Sequence, residues 1–324
     1  MVSWSDFRSA AAILQQGGVV GMPTETVYGL AADIANPAGI QKIFELKKRP
    51  FFDPLIVHVS KVEQVHQVVR EWPPIAAELA ERLWPGPLTL VLPKRHNLNS
   101  MITSGLDTVG VRLPQHPFAR RLISSVGSPL AAPSANLFGK TSPTTAQHVR
   151  DEFGDDLLVI DGGPCDIGLE STVLLITAER SCDRLTILRP GMITEDRLAE
   201  IFSQRERPVI VDRDSSNASP GHLTTHYQPK IPLVIIGERD DVSNPHLLAL
   251  IQQRLKFPVE RFQELILRES PFLAARSLYA TLRELSESGA DFLCVRRLSV
   301  ASSGEWEAVW DRIQRAASAD LSTR

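Results

Sequence analysis

From Asp6 to Phe202 the chain alternates short apolar runs, each only a few residues long, with stretches of helical periodicity and brief turns. Runs that short are strands, and strands alternating with helices bury themselves in a sheet flanked by those helices, so the pattern predicts an α/β or mixed-sheet domain. The expected strands cover residues 19–22, 55–59, 88–92, 109–113, 130–132, 157–160, 172–176 and 185–188. A helix over residues 6–16 ends at Gly17-Gly18. Asn36-Pro37 reads as an N-cap with proline at the first helical position, and Ile40, Ile43 and Phe44 give that helix its buried face. Ser60 and Glu63 have the spacing of a capping box for the next helix.

Beyond Gln204 the pattern stops, and residues 212–220 are dominated by Ser, Asn, Asp and Pro, the composition of a linker or loop. A second α/β unit follows, with strands expected at 233–236, 264–267 and 292–295. An amphipathic helix begins at Ser270-Pro271 and carries Leu278, Leu282 and Leu285 on one stripe. A chain of 324 residues exceeds what one core usually organises. The expected division is therefore a domain over residues 1–203, a linker over 204–230 and a smaller domain over 231–324.

Composition narrows the function classes. The formal net charge of −3 lacks the basic excess of a protein that lives on nucleic-acid backbone contacts, so strong general nucleic-acid binding is not expected, although a local basic cleft is compatible with it. Cys165, Cys182 and Cys294 are odd in number and lack metal-ligand spacing, which fits a reduced compartment without a disulfide framework. Residues 1–16 are interrupted by Asp6 and Arg8, unlike a signal peptide, and the expected protein is cytoplasmic with no membrane partner.

Gly139-Lys140-Thr141 resembles the end of a phosphate-binding P-loop, but Ser134 stands where that motif needs glycine. What remains is a set of polar segments set directly beside apolar strands: Pro23 to Gly29, Lys47 to Pro50, Pro133 to Asn136, and Glu170 to Thr172. Strand ends are where α/β folds place ligands. Hydroxyls and an amide can hold an amino acid or a ribose, while lysine and arginine neutralise phosphates and carboxylates. Lys47 at a helix C-terminus also complements the helix dipole, and Arg112 alternates out of the apolar run Val109 to Leu113. His58, between Val57 and Val59, reads by itself as a structural histidine.

These segments, with Pro54-Leu55, Trp84 to Thr89, Val109 to Arg112, Ala131 to Asn136, Ser142-Pro143-Thr144, Asp161-Gly162-Gly163, Glu170 to Val173 and Leu188 to Gly191, closely resemble the threonylcarbamoyl-AMP synthase family with its YrdC-like domain. Ser219-Pro220-Gly221 and His226-Tyr227-Gln228-Pro229 resemble the linker of the family's long form, which carries a small Rossmann-like C-terminal domain.

The resemblance implies a twisted mixed sheet with an open, locally basic cleft where L-threonine, bicarbonate or CO₂, and ATP with Mg²⁺ meet. It implies that Thr24, His58, Arg112, Ala132 and Ser171 form the threonine site, and that Lys47, Arg49, Thr108, Ser134, Asn136, Ser142 and Arg189 form the nucleotide site. It leaves any nucleophile or general base unassigned. Tyr28 would wall one site from the other, and residues 220–229 would form a lid, with Tyr227 contacting the nucleotide. The product would pass to a tRNA threonylcarbamoyltransferase complex. Two other classes compete: a non-catalytic RNA-binding module, against which the acidic balance speaks, and a carbamoyl-adenylate-forming domain, whose larger relatives carry cysteine-rich zinc modules that three scattered cysteines do not supply.

Overall fold

The computed structural model describes residues 4–179, 181–213, 226–297 and 303–322. It divides into two compact units, residues 1–138 with 143–222, and Gly139–Ser142 with residues 223–324.

The first unit carries strands β1 (Val20–Met22), β2 (Gly29–Asp33), β3 (Ile56–His58), β4 (Leu88–Pro93), β5 (Thr108–Arg112), β6 (Leu130–Ala131), β7 (Thr172–Ala178), β8 (Asp183–Arg189) and β9 (Val209–Arg213). They form one mixed sheet in the order β1-β2-β6-β3-β5-β4-β7-β8-β9. Parallel pairs β3/β5, β4/β7 and β8/β9 alternate with antiparallel ones. Around it lie α1 (Trp4–Gln15), α2 (Pro37–Lys47), α3 (Pro74–Leu83), α4 (Ser100–Thr103), α5 (Pro117–Val126), α6 (Ala146–Phe153) and α7 (Glu195–Phe202).

Register and the two-residue strand period give the sheet two different faces. Ala131, Val57, Val111, Leu90, Leu174 and Ile187 are consecutive partners across β6, β3, β5, β4, β7 and β8, and all belong to the larger core. That core takes in Ile40, Ile43 and Phe44 of α2 and Ile75, Leu79 and Ala80 of α3. One residue along each strand the side chains turn to the opposite face. There α1 and α5 cover the β1, β2 and β6 end through Phe7, Leu14, Leu122 and Ile123. α5 shows why such a helix forms. Its N-cap His116 accepts from Phe118 N at 3.2 Å, Pro117 opens it, Gly127 closes it at φ 82°, and Ala119, Leu122, Ile123 and Val126 make one buried stripe.

The cap at Asn36 forms as expected, accepting from Ala38 N at 3.2 Å. Three local expectations are corrected. Residues 157–160 make no strand; Val159 forms an isolated bridge with Gly21, whose missing side chain lets it approach, since a Cβ there would meet Val159 at 3.0 Å. The segment after Ser60 is a 3₁₀ turn, Val62–Gln67, and Gln64 takes the place of Glu63: its Oε1 accepts from Ser60 N at 2.8 Å and from Ser60 Oγ at 2.9 Å, while Glu63 is exposed. Within the span read as linker, Val209-Ile210-Val211 begins β9, a β-branched triplet that pairs parallel to β8. Residues 214–225 of that span, including Pro220-Gly221, lie outside the described residues.

The second unit is an all-parallel sheet of β10 (Leu233–Ile236), β11 (Phe262–Glu264), β12 (Phe292–Arg296) and β13 (Ala319–Asp320), in the order β11-β12-β10-β13. Its helices are α8 (Pro245–Leu255), α9 (Pro271–Ser286) and α10 (Gly304–Ala316). All four residues of β10 are buried, the mark of a strand covered on both faces. β11 lies earlier than the expected 264–267, because Phe262 packs on Phe292 at 5.9 Å while Ile266 is exposed. Among the described residues no helix is long and apolar enough to cross a membrane.

Candidate active site

The site row is the line of residues one step from the core row on β3, β5, β4 and β7; on β8 it reaches Arg189, two residues from Ile187, through a bulge in the β7/β8 pairing between Val173 and Leu174. His58 of β3 is paired with Arg112 of β5; continuing the β4/β5 register past Leu90↔Val111 sets Thr89 opposite Arg112; Thr89 pairs with Val173, and Val173 with Arg189. An apolar core on one face thus fixes the polar residues His58, Arg112 and Thr89 on the other, and the bulge beside Val173 adds Arg189. All four are buried, at 4, 4, 0 and 8 % exposure, so their polar atoms must be satisfied by one another, by backbone or by ligand.

Arg112 donates from Nη2 to Glu25 Oε1 at 2.6 Å, from Nη1 to Thr26 Oγ1 at 2.9 Å and from Nε to Gly86 O at 3.2 Å. Burial alone would raise the Glu25 carboxyl, but the charge and hydrogen bond of Arg112 outweigh it and hold it below the usual range. Arg112 is therefore not a lone cation on a solvated face; it is oriented by a buried carboxylate that has its own place in the Pro23 to Gly29 segment. His58 Nδ1 lies 3.2 Å from Ile56 O, and a carbonyl only accepts, so Nδ1 carries the proton and Nε2 keeps a lone pair. Burial, reinforced by Arg112, pushes the imidazole down to about 3, so it is neutral at physiological pH.

Thr24, Ala132 and Ser171 sit around this row. The Thr24 hydroxyl donates to Val27 O at 2.6 Å, so in the 2.8 Å contact with Thr26 it is the acceptor. It also accepts from the amides of Thr26 and Val27 at 3.2 Å, so it closes the turn that presents Glu25 and Thr26. Ala132 N donates to Ile56 O at 3.0 Å, which ties its loop to β3. Ser171 Oγ lies 2.8 Å from Thr89 Oγ1 and receives Arg189 Nη2 at 3.2 Å, while Arg189 Nε donates to Ser171 O at 3.1 Å.

Among the residues expected at the nucleotide, Lys47 is fully buried and its Nζ donates to Ser134 O and Asn136 O, both at 2.5 Å. One ammonium thus clasps the loop that carries two other expected residues. Burial, with the nearby Arg49 charge, lowers the Lys47 ammonium well below its ordinary range. Arg49 pairs with Asp53 at 2.8 Å and donates to Pro54 O at 2.9 Å. Thr108 is half-buried at the start of β5, four residues from Arg112. Ser142 and Tyr227 belong to the second unit, where Tyr227 is buried with φ 65° and its ring stacks on Tyr279 at 5.7 Å.

Tyr28, expected between the two sites, is fully buried. Its buried hydroxyl donates to Gly163 O at 2.8 Å and accepts from Gly162 N at 3.0 Å, so it pins the Asp161-Gly162-Gly163 loop. Gly162 admits no side chain, since a Cβ would stand 2.6 Å from Pro23 Cβ and 2.8 Å from the His116 ring. Sequence reasoning passed over Glu25, Thr26 and Thr89 as functional positions. The alternation Leu88-Thr89-Leu90 carried the same signal as Val111-Arg112-Leu113.

The arrangement offers oriented cations, a neutral imidazole and hydroxyls in buried surroundings, which suits recognition of carboxylate and phosphate more than covalent catalysis. Among the described residues no group of three or more His, Cys, Asp and Glu side chains is placed to hold a metal.

Comparison with known proteins agrees with this chemistry. Residues 12–191 match the Sua5/YciO/YrdC family model, described as telomere recombination, and residues 193–318 match the threonylcarbamoyl-AMP synthase C-terminal domain. The chain is 37 % identical over 322 residues to threonylcarbamoyl-AMP synthase of Pyrococcus abyssi, covering 95 % of this chain and 93 % of that one. It is 38 % identical over 331 residues to the Bacillus subtilis protein of the same name, covering 95 % and 92 %. It superposes with a TM-score of 0.83 on a crystal structure of P. abyssi Sua5 complexed with L-threonine, at 34 % identity over 97 % of this chain and 95 % of that one. With both of its parts matched in order and nearly its whole length aligned, the chain belongs to the threonylcarbamoyl-AMP synthase family.

Proposed function

We propose that the chain is an L-threonylcarbamoyladenylate synthase, a nucleotidyltransferase that condenses L-threonine, bicarbonate or CO₂, and ATP into threonylcarbamoyl-AMP and pyrophosphate, for threonylcarbamoylation of tRNA. The observation that carries the proposal is Arg112, held by Glu25, Thr26 and Gly86 beside a neutral His58, on a row that ends at Arg189. Three of the five guanidinium N–H groups are used in this way, and the remaining two are offered to the substrate carboxylate. His58 Nε2, an acceptor, suits the substrate's hydroxyl or amine.

In the reaction the threonine amine, once deprotonated, forms a C–N bond to CO₂. A carbamate oxygen then attacks the α-phosphorus, and the bond to the pyrophosphate oxygen breaks. Positioning and charge neutralisation by Lys47, Arg49 and Arg189, with the hydroxyls of Thr108, Ser134 and Ser142, are what such a transfer asks of a protein. Tyr227 is assigned to the nucleotide from the sequence reading of residues 220–229 as a lid. The side chains assigned to the nucleotide are cations, hydroxyls and an amide, which do not fit a metal cage, so Mg²⁺ is proposed to arrive on the ATP phosphates and no step is routed through it.

The product is a reactive mixed anhydride, so an enzyme that transfers the threonylcarbamoyl group to tRNA is proposed to consume it in the same compartment, the cytoplasm. Mass spectrometry of a reaction holding the purified chain, ATP, Mg²⁺, L-threonine and ¹³C-bicarbonate should find labelled threonylcarbamoyl-AMP with equimolar pyrophosphate. ATP consumption that does not depend on threonine, or no adenylate, refutes the assignment.

A further inference from the structure

Ser171 and Thr89 lie on neighbouring strands with their hydroxyl oxygens 2.8 Å apart, Thr89 fully buried and Ser171 nearly so. Arg189 Nη2 is a donor, so Ser171 Oγ accepts from it. Ser171 is the hydrogen-bond partner of the Thr89 hydroxyl among the described residues. Whichever of the two hydroxyls donates, the proton of the other is left without an acceptor among the described residues. Left on Thr89, that proton would lie in the sheet interior, whereas left on Ser171 it can be met by a ligand at the threonine site. On that reading Thr89 donates. Both lone pairs of Ser171 are then occupied, by Arg189 and by Thr89, and its own O–H is left to point at a ligand acceptor.

We propose that Thr89 is a positioning residue that sets the polarity of Ser171, making it a hydrogen-bond donor to the carboxylate or hydroxyl of the amino-acid substrate. The proposal rests on the reading of Ser171 as part of the threonine site. The strand geometry supports it independently. Thr89 continues the register opposite Arg112, and a Cβ on Gly110 would stand 3.1 Å from Thr89 Cγ2, so the methyl is wedged against β5 and the hydroxyl is aimed at Ser171 with little rotational freedom.

The test is calorimetric titration of the full chain with L-threonine and, separately, with ATP. Thr89→Val keeps the shape and removes the donor; it should weaken L-threonine about tenfold, the effect of one lost hydrogen bond, and leave ATP within about twofold. Thr89→Ser should restore the affinity. Because Thr89 acts through Ser171, the double variant Thr89→Val/Ser171→Ala should bind threonine no more weakly than Ser171→Ala alone. Unchanged threonine affinity in Thr89→Val, an equal fall for both ligands, failure of Thr89→Ser to restore binding, or additive losses in the double variant each overturn the proposal. If the unsubstituted chain takes up no L-threonine, the threonine-site reading itself fails, and it does so before any substitution is made.

Discussion

Replacing Arg112 with methionine tests the buried pair at the centre of the site. Glu25 is 1 % and Arg112 4 % exposed, so removing the guanidinium strands a carboxylate that water does not reach. Breaking a buried pair by removing one partner costs about 3–5 kcal/mol, whereas replacing both partners by neutral groups of similar size costs much less. Glu25→Gln/Arg112→Met should therefore be more stable than Arg112→Met alone, by about 2 kcal/mol.

The pH dependence gives a second check. In the native protein the Glu25 carboxyl sits below its unfolded value of 4.5, so it contributes stability above that pH and loses it as the pH falls. Without Arg112, burial, the largest influence, is opposed only by backbone hydrogen bonds at Gln115 and at Glu25 itself, so its value rises above 4.5 and the variant regains stability as the carboxyl takes up a proton. The deficit of Arg112→Met should thus be largest at pH 7 and smaller at pH 5. Native-state amide exchange in β3 and β5 reports the opening free energy of this unit without assuming that the whole chain unfolds in one step. A deficit below about 1 kcal/mol at pH 7, a deficit equal at both pH values, or a double variant no more stable than the single one refutes the reasoning.

Three further outcomes follow from neighbouring contacts. His58 falls from its ordinary 6.5 to about 3 on folding, so the unfolded chain binds the extra proton and stability drops as pH falls below 6.5; unfolding of His58→Gln between pH 6.5 and 5 should lack a loss of about 2 kcal/mol seen in the native chain. Lys47→Met strips the donor from Ser134 O and Asn136 O, so equilibrium unfolding should show about 1–3 kcal/mol lost for each carbonyl left buried, together with weaker ATP binding in a filter assay. Tyr28→Phe removes both hydrogen bonds to the Asp161–Gly163 loop, and amide exchange at Gly162 should accelerate about tenfold or more, with no change if the hydroxyl is idle.

The apolar strand runs and the Asn36-Pro37 cap were readable in the sequence because each is a local device: a period of two, or one side chain closing one amide. Arg112 and His58 were visible for the same reason, as polar residues interrupting apolar strands. What Arg112 touches was not visible. Glu25 lies 87 residues away in sequence and meets it only through the sheet order, which brings the turn before β2 to the end of β5. For Lys47 the sequence showed a cation complementing a helix end, and what it did not show is that the fold turns the ammonium onto two carbonyls 87 and 89 residues further on. Residues 157–160 read as a strand because they are apolar, but they meet β1 only at the single bridge between Val159 and Gly21.

The offset of one residue between Val57, Val111 and Leu90 on one face and His58, Arg112 and Thr89 on the other bears on how such a protein can change over time. Inserting or deleting a single residue within β3, β4 or β5 would invert that strand, driving arginine, histidine or threonine into the apolar core and valine or leucine into the cleft. Changes on this face are thereby confined to substitutions, while gains and losses of length are channelled into the connections, such as the one between β4 and β5. A laboratory library can use the same separation: randomising 58, 89 and 112 together samples the chemistry of the cleft while the interior that holds the sheet keeps its sequence.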